Sequence, residues 1–410
     1  MDIFLSYAVF FISAVTVLGY FFCKRREFDF LSLYILSMTL FFLPSFFRLT
    51  YDPVLVGYVQ PGATFYLVQS IAYWGGLGGV LFKVAFSRIS FPALRSLHVV
   101  DTAFVYSCLF ITLAVLMYLL PLLAFATNKS EALKIFGVWV MLLTSLIPVG
   151  FAMAIVLGRL MVAFFFVFFA LLLFLYGMRS PLVFLFLGGL MLSLSRHRIA
   201  LISQWKVLIF GFLFVAFVVI GKAFYGAYLL GGWVGALEWV YNPDFENIWR
   251  GAEFLTTSAI LNGVIVADFE TDFWLVPVSF ISALPIPLAS FGLSSSIFND
   301  LFQPALYPTI DYGMAYNPWA EAYSWGRLYG VMFYAFLFPF LLVIFEGFWR
   351  FNRKNSFGGI FLMMGVLVAF WVHRNSLGSE LAYLRNLFFP CLAIWLCSFF
   401  VLLFPRRSLQ

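Results

Sequence analysis

The sequence predicts an all-α polytopic membrane protein of about eleven transmembrane helices with one large extracytoplasmic loop. Three observations predict it. The 410-residue chain is 64% hydrophobic and 10% charged, too few charges to clothe a globular surface. Its apolar residues fall into runs near the roughly 20 residues that cross a hydrocarbon core about 30 Å thick. Basic residues also gather at alternate connections between those runs, as the positive-inside rule requires.

Apolar runs at 3–23, 30–47, 62–82 and 101–125 predict the first four helices, each bounded by charge or by Pro and Gly clusters. The first is long enough to stay as a helix without cleavage. Lys24, Arg25 and Arg26 follow the first run, and Lys83, Arg88 and Arg95 follow the third, which places both connections in the cytoplasm and the N-terminus outside. Between 135 and 195 the only charges are Arg159 and Arg179, so three spans with tight turns are expected there. Arg159 marks a cytoplasmic turn. Gly177-Met178-Arg179-Ser180-Pro181 marks an outer one, where glycine and proline end helices on both sides. Arg196, His197, Arg198 and Lys206 return the chain to the cytoplasm. The remaining spans are expected at 207–221, 328–346, 358–372 and 386–404. This topology puts 15 of the 24 Lys and Arg inside, against 4 of the 18 acids.

The chain therefore divides into an N-terminal bundle of about eight spans (1–221), a large periplasmic loop (222–327) and about three C-terminal spans (328–410). The loop holds Glu238, Asp244, Glu246, Glu253, Asp268, Glu270, Asp272, Asp300, Asp311 and Glu321 against only Lys222, Arg250 and Arg327. Phe273 to Gly292 is apolar enough to span, but Pro277, Pro285 and Pro287 predict a bent helix at the outer interface instead. The net charge of +6 reports membrane orientation rather than a nucleic-acid partner. Cys23, Cys108, Cys391 and Cys397 lie in apolar runs without metal or redox spacing and are packing residues.

Two constellations carry candidate chemistry. Arg179, Arg374 and Arg385 sit at the outer ends of helices in apolar surroundings, where a charge needs a partner or a polar cavity. Guanidinium forks suit phosphate oxygens, so a diphosphate pocket is one reading. Snorkelling to headgroups, or pairing with Glu380 and neighbouring acids, is the other. The second constellation, Gly313 to Gly330, is rich in Tyr and Trp, which stack on sugar rings and favour membrane interfaces. Glu321, in the first turn after Pro318, is either a general base or a helix cap paired with Arg327. Gly326 and Gly330, four apart, allow close helix packing. Asp268, Glu270 and Asp272 alternate like cation ligands but fit a solvated acidic loop better. His373, the one outward histidine, is a proton shuttle or a plain helix-end residue.

The layout resembles bacterial oligosaccharide repeat-unit polymerases of the Wzy type, which make O-antigen and related glycans, including enterobacterial common antigen. Gly177-Met178-Arg179 is similar to the Gly-Thr/Ser-Arg step that closes a periplasmic span end in that family, with Met replacing the small hydroxylated residue. Ala283-Leu284-Pro285-Ile286-Pro287, then Asn317 and Glu321, then Gly326 and Gly330, follow in the family's order, and His373-Arg374-Asn375 with Arg385 resembles its last periplasmic arginine pair. The resemblance implies a glycosyltransferase of the bacterial inner membrane that acts on undecaprenyl-pyrophosphate-linked oligosaccharide at the periplasmic face. It implies no metal and no other cofactor, and partners in a chain-length regulator and a flippase. Arg179, Arg374 and Arg385 would neutralise the leaving pyrophosphate. Glu321, or Asp311 or His373, would take the acceptor proton. Arg250, Asn317, Tyr323 and Arg327 join Asp311 and His373 as candidate substrate contacts. An O-antigen ligase shares the plan but usually carries a histidine in the large loop, and none lies between Lys222 and Arg327. A flippase or transporter would place polar residues at the bilayer midplane rather than at one face.

Overall fold

The structure is a computed structural model that describes residues 2–25, 27–52, 57–93, 97–123, 135, 137–195, 203, 205–243, 253–286, 292, 297–310 and 314–403. It is about 81% helical, and the only sheet among the described residues is a two-stranded hairpin. In chain order the helices are α1 (Ile3–Gly19), α2 (Phe30–Phe41), α3 (Leu43–Phe46), α4 (Ala63–Phe86), α5 (His98–Leu123), α6 (Val138–Val156), α7 (Leu160–Leu175), α8 (Ser180–Leu194) and α9 (Trp205–Tyr241). They continue with α10 (Glu253–Val266), α11 (Leu275–Ile281), α12 (Ile297–Leu306), α13 (Pro318–Phe351), α14 (Ser356–Trp371) and α15 (Leu377–Leu403). Strands β1 (Thr50–Asp52) and β2 (Gly57–Val59) pair antiparallel between α3 and α4. Among the described residues seven helices are long and apolar enough to cross a membrane, which makes the chain an all-α, multi-pass membrane protein.

Helix ends follow local chemistry. Asp2, Asp29, Asn317 and Asn355 each cap an N-terminus by accepting from backbone N–H groups of the first turn. Gly177, at φ 78°, takes the left-handed conformation that closes α7, and Pro181 then opens α8. The bundle is closed by small residues where helices touch. At Gly75 of α4 an added Cβ would lie 2.3 Å from the Ala335 carbonyl oxygen of α13, so only glycine permits that approach.

Side-chain pairs sort the helix ends onto two faces. On one, Lys83 at the end of α4 meets Glu27 (3.0 Å), Asp29 (2.5 Å) and Glu346 (2.9 Å). Arg350 bonds Glu27 (2.5 Å) and Glu346, and Arg25 bonds Asp29. Three cations balance three anions in this network, which ties the α1–α2 connection to α4 and α13. Burial raises the Asp29 pKa, but Lys83 and Arg25 outweigh it and hold the carboxyl down at about 2. The same face carries Asp101, whose carboxylate accepts from Ser356 N and Oγ, both at 2.7 Å. On the other face, Ser258 of α10 donates to Thr50 of the hairpin (2.9 Å), and Asn317 donates to the Thr257 carbonyl (2.7 Å).

Of the eleven expected spans, α1, α4, α5, α6, α13, α14 and α15 are long and apolar enough to cross a membrane, while α2, α7 and α8 are shorter apolar helices. Residue 222, where the loop was expected to begin, lies inside α9, which runs on to a break at Gly232. The last helix starts at Leu377 rather than near 386, because Glu380 is buried against Asn375 (2.8 Å) and no longer marks a solvated loop. Arg385 is thus two turns inside α15 and not at its end. The proline-rich stretch forms the short α11, packed on α15, and its helix stops before Pro285; Pro287 lies outside the described residues.

Candidate functional site

The site is assembled on the face that carries the acidic stretch, around the turn Val372–Leu377 between α14 and α15. That turn is held from below by the start of α13. Tyr316 N donates to the Arg374 carbonyl (3.0 Å), and Leu377 N donates to Glu321 Oε2 (2.7 Å). Asn317 caps α13 through Trp319 N (2.8 Å) and Ala320 N (3.0 Å). His373 is buried, stacked on Trp319 and against Tyr34, and its Nε2 donates to the Tyr34 carbonyl (3.2 Å).

The turn lies well below the rim of the bundle. α13 is broken at Arg327 (φ 52°, ψ −139°), and its first nine residues fold back along the span that follows. Trp319 and Phe338 would be about 28 Å apart in a straight helix. Their ring centroids are 6.1 Å apart. Phe338 is eleven residues beyond the break, so Trp319 and the stacked His373 sit about 16 Å beneath it. The end of α2 gives the same depth, since Phe42 packs on Tyr73, ten residues or about 15 Å from the start of α4. Helices α2 and α8 have 12 and 15 residues, shorter than a hydrocarbon core of about 30 Å demands. On this face the end of α2 and the turn after α14 are thus set back about 15 Å from the start of α4 and from the Arg327 break, a recess in the sense of helix ends below the rim.

Two of the sequence-predicted arginines meet there. Arg374 Nη1 bonds Glu253 Oε2 at 2.6 Å and stacks over Trp371, with its guanidinium carbon 4.8 Å from the ring centroid. Arg179 interacts electrostatically with both, attracted by Glu253 and repelled by Arg374. Among the described residues no carboxylate comes within ion-pair distance of Arg179. Among the described residues, Glu253 is thus the one carboxylate that ion-pairs with either guanidinium. Tyr383 lies beside Arg374, Tyr316 and Glu380 at the same place. Side-chain exposures of 27% for Arg374 and 34% for Glu253 show that this pair is reachable.

The other predicted residues stand elsewhere. Arg385 is eight residues, about 12 Å, further along α15, where it donates to the Leu284 carbonyl (3.3 Å). Arg327 pairs with Asp268 (2.8 Å) and Glu270 (2.5 Å), not Glu321, and packs over the Tyr323 ring. Those two acids are thereby taken up by a cation. Glu321 has no exposed surface; Tyr334 approaches its carboxyl, but Oε1 receives no hydrogen bond of normal geometry. Its visible work is to cap α15. Gly330 packs on its own chain across the break, 2.0 Å from the Ala322 oxygen for an added Cβ, whereas Gly326 faces open space. Arg250 and Asp311 lie outside the described residues. Sequence reasoning missed Glu253 and Tyr383. Glu253 was one acid among ten, and only the fold distinguishes it.

No family model, curated protein or solved structure matches the chain. The chemistry of the site must carry the functional argument alone. A half-buried arginine pair with one ion-paired carboxylate suits a phosphate or diphosphate ester, which supplies negative charge and bidentate acceptors.

Proposed function

We propose that this chain is a polymerase of undecaprenyl-pyrophosphate-linked oligosaccharide repeat units, such as those of O-antigen or a related surface polysaccharide. It works in the bacterial inner membrane, crossing it eleven times with α1, α2, α4 to α9 and α13 to α15, with the acidic stretch and the arginine pair facing the periplasm. The observation that carries this reading is the Arg179–Arg374 pair in its recess, with Arg179 free of a carboxylate partner among the described residues. A guanidinium at membrane depth with no ion pair of its own is costly unless an anion visits it.

In this mechanism a hydroxyl of the terminal sugar on one carrier attacks the anomeric carbon of the glycan on another. The carbon–oxygen bond to the diphosphate breaks, and undecaprenyl diphosphate leaves with the electron pair. Arg179 and Arg374 stabilise the charge that builds on the leaving oxygens. Glu253 orients Arg374. The proton goes to a carboxylate of the acidic stretch, either Glu253 or Asp311. Arg385 serves the adjoining carrier beside α11, and Tyr316, Tyr323 and Tyr383 offer faces for sugars. A chain-length regulator and a flippase act beside it.

Deletion in the host tests this reading. A surface-glycan ladder that collapses to one attached repeat unit supports the polymerase; complete loss of attached glycan identifies a ligase or a flippase instead. Arg179→Ala and Arg374→Ala should give the same collapse at normal protein levels, while Arg159→Ala, at a turn on the other face, should keep the ladder.

A further inference from the structure

The break in α9 is a twin of the break in α13. Gly232 has φ 59° and ψ −151°, close to the 52° and −139° of Arg327. In both, the glycine three residues on lies against a carbonyl five residues before the break: Gly235 on Ala227 (2.9 Å for an added Cβ) and Gly330 on Ala322 (2.0 Å). Each is therefore a fold-back elbow, and the two stand at either end of the acidic stretch. In a straight helix Phe224 and Trp239 would be about 22 Å apart. Their ring centroids are 6.4 Å apart, and Tyr228 meets Trp233 edge-on at 5.2 Å. Residues 233–241 thus run back alongside the last turns before Gly232.

The two returned helices differ in what they face. Residues 318–326 are enclosed by the bundle, with Trp319, Ala320, Glu321, Ala322 and Ser324 buried. Residues 233–241 turn outward: Trp233 is 68% exposed, Val234 66%, Leu237 55%, Val240 53% and Tyr241 81%, while Ala236 is buried. At about 100° per residue these five side chains fill an arc of roughly 120°, and Glu238 falls just past its edge. Such an arc is too apolar for water. The surface continuous with it identifies its occupant. Ile209, Leu213, Phe217 and Ile220 form an exposed apolar stripe up α9 that continues through Tyr228 and its contact with Trp233. Phe217 stacks on Phe174 near the end of α7, and Gly232 is about 22 Å beyond it, which carries the elbow up to the rim.

We propose that residues 233–241 are a returned helix seated in the headgroup and upper acyl layer of the leaflet on the acidic-stretch side, with lipid chains against Trp233, Val234, Leu237, Val240 and Tyr241. The segment expected to open an aqueous loop is instead part of the membrane surface of the protein. Trp233 and Tyr241, at the two ends of the segment, suit that boundary. The elbow fixes the helix against its own span, so lipid contact is made by one face only.

The test is spin-label accessibility in nanodiscs, in a full-length chain whose four cysteines are replaced and whose melting curve matches the parent. Labels enter by Val234→Cys, Leu237→Cys and Val240→Cys, with Asp272→Cys as an aqueous reference. The three arc positions should show an oxygen-to-nickel-chelate accessibility ratio several-fold above the reference. A ratio like that of position 272 would overturn the proposal in favour of an aqueous loop. Exclusion of both probes at all three positions would overturn it in favour of a protein partner.

Discussion

At the residue scale, similar side chains have different consequences according to where the backbone puts them. Gly326 and Gly330 illustrate this. An added methyl at 330 meets the Ala322 carbonyl, whereas one at 326 meets nothing. Gly330→Ala should therefore lower stability by about 2 kcal/mol or more, while Gly326→Ala should be neutral or stabilise by up to about 1 kcal/mol through helix propensity. Thermal unfolding in detergent measures both. Glu321 offers a second contrast, because its role as acceptor for Leu377 N survives in an amide. Glu321→Gln should keep both folding and activity, and Glu321→Ala should lose about 1–3 kcal/mol. A folded but inactive Gln variant would restore Glu321 as the general base. Asp29 sets a pH limit. Its folded pKa lies below the unfolded value, so its contribution is complete above about pH 4 and disappears as pH falls toward about 2. The melting temperature of the parent should drop through that window, and Asp29→Asn should flatten the drop.

At the element scale, helix placement was largely legible, whereas the hairpin at β1 and β2 and the depth of the helix ends were not. Hydropathy and the Pro and Gly signals found the runs that became α1, α4, α5 and α14 to within a few residues. They could not show that α13 begins with a returned half-helix, because Arg327 is not a residue that announces a positive φ. Its backbone is held by Asp268 and Glu270 on one side and Tyr323 on the other. A strained residue of this kind costs about 1–3 kcal/mol, against roughly 0–1 for exposed ion pairs. Arg327→Gly should accordingly leave the melting temperature unchanged or raise it, and Arg327→Val should lower it. Arg385 was misplaced for a related reason. Polar Glu380 and Tyr383 look like loop in one dimension, but in three Glu380 is buried against Asn375 and Tyr383 is partly buried beside Arg374.

At the scale of the whole molecule, the two faces are distinguished by how charge is handled. One holds a network in which every carboxylate has a cation, and it locks α4 and α13 to the first connection. The other holds two guanidinium groups around Glu253, in a recess formed by short helices and returned half-helices. Placement at outer helix ends singled out Arg179, Arg374 and Arg385 together, with a shared pocket as one of two readings; that Arg385 stands apart, and the recess and Glu253, required the fold. The most direct measurement is equilibrium binding of farnesyl diphosphate to the protein in nanodiscs, with farnesol as reference for the chain alone. The account predicts that diphosphate binds in preference to alcohol and that Arg179→Ala weakens it at least tenfold, about 1.4 kcal/mol, with no change in melting temperature. Equal affinity in the parent and Arg179→Ala would contradict it.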